Sequence, residues 1–171
     1  MIHNRALRPA MQLVFSNDFS EIWKDEMIQH ASLFSTRSFR PGDIICEVGA
    51  SAIVHTPSYL TVQIEEDEHI CLNPQFLQYI NHGCSPNVFF DIANGKVICL
   101  RPIKPGTEFS YFYPSTEWDM AQPFQCLCGS RNCLNYIRGA AHIPKDVLSK
   151  YRVSDFIKRK KILQELTTEV R

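Results

Sequence analysis

The chain has 171 residues, 44% of them hydrophobic, and its 18 lysines and arginines balance 18 aspartates and glutamates. A zero net charge excludes an overall field that would draw the protein onto nucleic acid or an anionic membrane, and no apolar run reaches membrane-spanning length. The size suits one domain with a sizeable core, and the polar, basic residues 1–10 lack the apolar segment of a secretory leader or anchor. Seven cysteines, an odd number in a chain with a core, argue against a disulfide scaffold. They point to a reducing, intracellular compartment, with nucleus and cytoplasm not distinguished.

In chain order, residues 11–15 fit a strand, and residues 19–28 hold enough helix formers for a short helix. From Leu33 the pattern turns to β: residues 33–39, 44–48, 51–55 and 60–64 are strand-sized and bounded by turn residues such as Pro41-Gly42-Asp43. The run Glu65-Glu66-Asp67-Glu68 reads as a solvated hairpin tip; the alternative is an acidic rim that attracts a basic peptide. After a return through residues 70–72, Asn73-Pro74 opens a short helical segment over 75–79. Asn94-Gly95, between residues 88–91 and 96–100, is a strong hairpin signal. Pro105-Gly106 then turns the chain into residues 108–113. In residues 145–169 the spacing of Leu148, Tyr151, Phe156, Ile162, Leu163 and Leu166 predicts one or two amphipathic helices, with Lys158-Arg159-Lys160-Lys161 on the exposed face. Many short strands without alternating long helices predict an all-β or β-rich α+β domain.

Two clusters carry chemistry. Cys126-x-Cys128-x4-Cys133 supplies three closely spaced thiols, which suits tetrahedral Zn2+ and leaves one ligand to find. Cys84 is best placed, because the turn Asn81-His82-Gly83-Cys84-Ser85-Pro86-Asn87 can present a side chain outward. The competing reading is buried cysteine packed as a small hydrophobe, which is the expectation for Cys46, Cys71 and Cys99 in their apolar runs.

Together, Asn81-His82-x-Cys84-x-Pro86-Asn87, Glu108-Phe109-Ser110-Tyr111-Phe112-Tyr113 and Cys126-x-Cys128-Gly129-Ser130-x-x-Cys133 resemble, in order and spacing, the SET-domain protein lysine methyltransferases with their post-SET zinc segment. The resemblance covers roughly residues 30 to 140. It implies a β-rich α+β SET-domain fold, with small curved sheets around a pseudo-knot, a C-terminal zinc segment and a helical tail. The implied divisions are an N-terminal extension over residues 1–29, the SET domain over 30–121, the post-SET segment over 122–140 and the tail over 141–171.

Methyl transfer from a sulfonium to an amine is an in-line displacement, so the protein must align two ligands and stabilise charge. The resemblance assigns S-adenosylmethionine as donor and a protein lysine as acceptor, histone tails being the family's best-known targets; the balanced charge and lack of a spanning run argue separately against a membrane partner and disfavour nucleic acid. It implies cofactor contacts at Ser32, Leu33, Phe34, Tyr59, Asn81, His82, Tyr113 and Leu134, catalytic roles for Tyr113 and Tyr111, and Zn2+ on Cys84, Cys126, Cys128 and Cys133. Tyr111 falls on the family's Phe/Tyr switch, where a tyrosine hydroxyl holds a water in the space a second or third methyl group would need, and so implies mainly monomethylation.

Two departures stand out. The usual glycine pair reads His30-Ala31-Ser32, and the insert between Tyr59 and Asn81 is short, leaving little surface for reading a long peptide. The runner-up function is therefore an inactive SET-fold module that binds protein or peptide. A zinc-ribbon nucleic-acid binder and a Cys84–His82 nucleophile fit less of the pattern.

Overall fold

The computed structural model describes residues 11–169. Its strands, in order, are β1 (Met11–Ser16), β2 (Ser20–Asp25), β3 (His30–Ser35), β4 (Ile44–Glu47), β5 (Gly49–Val54), β6 (Thr61–Glu65) and β7 (Glu68–Asn73). They continue with β8 (Asn81–His82), β9 (Val88–Asp91), β10 (Lys96–Cys99), β11 (Ser110–Tyr111), β12 (Phe124–Gln125) and β13 (Tyr136–Ile137). Two helices, α1 (Lys145–Leu148) and α2 (Asp155–Glu169), close the chain.

Three antiparallel sheets, ordered β1-β2-β3, β4-β10-β9 and β5-β7-β6, enclose the main core, in which Leu33, Phe90 and Val97 are sealed from solvent. The expected helix over residues 19–28 is instead β2 and the hairpin tip that follows it. Ser20 and Ile22 alternate inward with period two, and β2 is paired on both sides, so tertiary pairing overrides the helix propensity of Glu21 and Lys24. Asn17 fixes the β1–β2 turn, its Oδ1 accepting the N–H groups of Phe19 at 3.0 Å and Ser20 at 2.7 Å. The strands expected at 44–48, 51–55, 60–64 and 70–72 form as β4 to β7, and residues 75–79 form a 3-10 turn.

The most consequential pairing is also the shortest. β8 and β11 run parallel, with Asn81 opposite Ser110 and His82 opposite Tyr111. Asn87 fastens them: its Nδ2 donates to Glu108 O at 2.8 Å while its Oδ1 accepts the Ser110 N–H at 2.8 Å. Gly83 explains the small residue in this motif, since a Cβ there would stand 3.0 Å from Ser110 Oγ. Two motifs almost thirty residues apart in sequence thus become neighbours.

The C-terminal segment folds back over this region. β12 and β13 form a hairpin carrying the late cysteines, and Phe112, Ala140, Ile143, Leu148, Phe156 and Ile157 build a second small core. Tyr151 stacks on Phe112 at 3.8 Å and 9°, and its hydroxyl donates to Cys84 O at 2.9 Å. The acidic hairpin tip and the basic helix face, expected separately in solvent, clasp each other: Arg159 pairs with Glu65 at 2.5 Å and Lys160 with Glu66 at 2.6 Å. Such surface pairs contribute about 0–1 kcal/mol each, so they register α2 against the β6–β7 hairpin more than they hold it. Lys161 turns inward, its Nζ donating to Ile143 O at 2.7 Å. Among the described residues no helix is long and apolar enough to cross a membrane.

Candidate active site

Two cavities next to the parallel β8–β11 pair share Tyr113 in their lining. One is lined by His30, Ala31, Asn81, His82 and Glu108, with residues 124–128 along its edge. The other, about 280 Å3, is lined by Val62, Leu72, Leu77, Ile80, Tyr111 and Glu117. Tyr59, Leu60, Gln78, Tyr113 and Phe124 border both and form a common wall. Tyr113 thus borders a molecule in either cavity.

The wall residues are held in defined states. His82 is wedged among the rings of Phe112, Tyr113 and Phe124, with centroids at 5.8, 5.3 and 5.6 Å. Burial pushes its pKa down to about 4, so the imidazole is neutral. Its Nδ1 accepts the Tyr113 N–H at 3.3 Å, which puts the ring proton on Nε2, 3.3 Å from Cys84 Sγ. His82 therefore bridges the backbone of Tyr113 to the cysteine cluster. The Tyr111 and Tyr113 rings lie 4.7 Å apart, and Phe90 meets Tyr111 edge-on at 4.7 Å. Burial raises the phenol of Tyr113 to about 12, with the Glu117 charge adding to the effect, and burial pushes Tyr111 well up; both are neutral hydroxyls. Glu117 is raised to about 7 by burial, opposed by hydrogen bonds from Gln63 N–H at 2.8 Å and Thr116 Oγ1 at 3.4 Å.

Among the residues expected to hold a cofactor, Tyr59, Asn81, His82 and Tyr113 line the first cavity. The structure does not bring Ser32, Leu33, Phe34 or Leu134 to its lining. β3 buries Ser32 and Leu33, while Phe34 pairs with Glu21 and bridges to Glu108. His30 and Ala31 face the cavity instead, because the preceding pair on the strand reaches its exposed end. Asn81 turns its amide nitrogen toward β3, donating to Ser32 Oγ at 2.9 Å, Ala31 O at 3.1 Å and Glu108 Oε1 at 3.1 Å. Leu134 packs between the second core and the cysteines, its N–H 3.4 Å from Cys84 Sγ. Leu127, 89% exposed, is the leucine at the cavity edge. Sequence reasoning also missed Glu117, whose only signal is a carboxylate four residues past Tyr113.

Cys84, Cys126, Cys128 and Cys133 converge, their four Sγ atoms all lying within 4.8 Å of one another and Cys84 within 3.8 Å of Cys126. A Zn–S bond of about 2.3 Å gives a tetrahedron edge of about 3.8 Å, so the four thiols fit the ion. Burial pushes the Cys84 and Cys126 thiols up, so these two resist ionising without a cation, whereas, against partial desolvation, hydrogen bonding to Ser130 holds Cys128 down at about 6. Cys46, Cys71 and Cys99 lie elsewhere as free thiols, Cys99 fully buried in the main core.

The fold and this arrangement define a SET-domain protein. The SET domain family model matches residues 30–114, and the chain belongs to that family. Among its relatives, methyltransferase flvH of Aspergillus flavus is 38% identical over 130 residues, covering 75% of this chain and 72% of that one. The variant-silencing SET domain-containing protein of Plasmodium falciparum is 28% identical over 142 residues, 68% of this chain but 6% of that much longer one. An H3 lysine-4-specific histone-lysine N-methyltransferase of Emericella nidulans is 34% identical over 67 residues, 35% of this chain and 6% of the relative.

Proposed function

We propose that the protein is an S-adenosylmethionine-dependent protein-lysine N-methyltransferase, making mainly the monomethyl product, with a histone tail as the first substrate class to examine. The observation that carries this reading is the pair of cavities sharing Tyr113 as a wall, one for a donor and one for an amine. Histone-lysine methyltransferases among the relatives support the acceptor class.

The first cavity suits the donor chemically. Phe124 and His82 offer ring surfaces for a purine, and Lys24 and Glu108 offer opposite charges for an amino-acid group. When bound, S-adenosylmethionine supplies a methyl group on a sulfonium sulfur. The protein's share is orientation and exclusion of water. The Tyr113 hydroxyl, neutral and backed by the His82 bridge, is a fixed dipole in the wall between donor and acceptor. Tyr111, 6% exposed and held between Phe90 and Tyr113, occupies volume that a second methyl group would need. A zinc ion on the four cysteines would order the hairpin that supplies Phe124, and so one side of both cavities.

The test is methyl transfer by zinc-loaded protein from labelled S-adenosylmethionine to core histones and a lysine-containing peptide library, with mass spectrometry of the product. The reading expects monomethyl-lysine, abolished by Tyr113→Phe. Donor binding without transfer to any lysine would favour the second reading, a binding module, for which His30-Ala31 in place of the glycine pair is the supporting observation.

A further inference from the structure

We propose that Glu117 binds the ammonium form of the substrate amine and takes its proton, so that the amine meets the methyl donor as a neutral nucleophile. This rests on the transferase reading above and names the acid–base chemistry of its acceptor cavity.

The geometry is specific. Of the residues lining the second cavity, Glu117 is the one with a carboxyl or basic side chain; the rest are apolar, hydroxyl or amide side chains. Its Oε1 is fixed by the Gln63 N–H and the Thr116 hydroxyl, and among the described residues no lysine, arginine or histidine pairs with it. Gln63 is itself locked, its Oε1 accepting the Trp118 N–H at 2.8 Å and its Nε2 donating to Glu65 O and Glu66 O at 3.0 Å each. The carboxylate is thus held rigidly but left without a countercharge in an apolar wall, an arrangement that costs stability unless a cation arrives.

The titratable groups facing Glu117 are Tyr111 and Tyr113. β6 adds the neutral Gln63, and β7, the 3-10 turn before β8 and residues 120–124 add no charge to the cavity. Lys160 and Lys161 lie over the Trp118 ring at 5.1 and 5.8 Å. The elevated pKa of about 7 agrees with the geometry, since a base poised near the working pH is most effective. Desolvation in the same cavity pushes an alkylammonium down, against the pull of the carboxylate on its charged form.

In the step, one N–H bond of the ammonium breaks, an O–H bond forms on the carboxylate, and the bonding pair stays on nitrogen as the lone pair that attacks the methyl carbon. As the N–C bond forms the methyl–sulfur bond breaks, its electron pair leaving on sulfur as a neutral thioether and the positive charge passing to nitrogen. Nothing is oxidised or reduced. The cavity therefore selects a primary alkylamine such as a lysine side chain; a guanidinium holds its proton too tightly to surrender it here.

Two measurements on the zinc-loaded full chain test the proposal. The first is NMR titration with n-butylammonium near neutral pH, where Glu117→Gln should bind at least about tenfold more weakly than wild type. The second is the pH profile of kcat/KM with S-adenosylmethionine and core histones. Wild type should show an acid limb near pH 7; Glu117→Gln should lose it, fall roughly 100-fold at neutral pH and recover above about pH 10, where the amine is already neutral. Glu117→Asp should keep an acid limb, which decides the matter should Glu117→Gln not fold. Equal n-butylammonium binding by the two forms, or a loss independent of pH, overturns the proposal while wild-type methyl transfer leaves the transferase reading standing. If wild type binds S-adenosylmethionine but transfers no methyl group, both fall together.

Discussion

Glu117 has a consequence for stability that does not depend on any activity. Its carboxyl group is raised from 4.5 to about 7, mainly by burial, so the folded chain holds this proton more tightly than the unfolded chain. The stabilisation from this group is present below the unfolded pKa and is lost as pH rises through about 7. One pKa unit is about 1.4 kcal/mol, so the whole shift amounts to about 3 kcal/mol, of which about 2 kcal/mol is lost between roughly pH 5.5 and pH 8. That window avoids acid strong enough to strip metal from thiolates. Glu117→Gln keeps an acceptor for the Gln63 N–H but has no proton to lose. Urea unfolding of wild type and variant at both pH values should therefore show wild type losing about 2 kcal/mol relative to Glu117→Gln on going to pH 8. A difference between the two that does not change with pH would refute the buried, elevated carboxyl on which the acceptor cavity depends.

Other outcomes follow from single positions. Gly139 has φ +113, and a Cβ there would lie 2.4 Å from Trp118 O and 2.8 Å from Trp118 C, so Gly139→Ala should cost more than about 3 kcal/mol in urea unfolding. Gly106→Ala, at a positive φ but with nothing within 4 Å, should cost only about 1–2 kcal/mol and serves as the control. In zinc-loaded protein Cys84 should resist alkylation until a chelator is added, and chelation should melt the β12–β13 hairpin while Cys46, Cys71 and Cys99 keep their reactivity, as read by mass spectrometry of labelled peptides. Tyr111→Phe should shift the product from monomethyl toward dimethyl and trimethyl lysine; trimethyl product from the unaltered protein would retire the steric argument.

Most strands were legible because they are short runs bounded by turn residues, and Asn94-Gly95 marks its hairpin by chemistry alone. β2 was not, because Glu21 and Lys24 favour helix locally and only partners on both sides make them a strand. The four cysteines were legible as a group since three sit at ligand spacing and Cys84 lies in a turn. What sequence could not give was any meaning that depends on distant neighbours. The charge runs 65–68 and 158–161 each look solvated until the fold brings Glu65 to Arg159 across 94 residues. Glu117 looks like a surface carboxylate until Gln63, 54 residues earlier, fixes it inside a cavity. Leu134, expected at the cofactor, packs by the cysteines for a similar reason, since the path of the hairpin brings Leu127 to the cavity edge instead.

The central claim, that a methyl donor sits on the His30–His82 side of Tyr113, is tested most directly by calorimetric titration of zinc-loaded protein with S-adenosylmethionine and its demethylated product. The account predicts one site per chain, weakened by Ala31→Trp, which would fill the cavity from β3. Folded, zinc-replete protein that takes up neither ligand would contradict it and leave a SET fold used for binding alone.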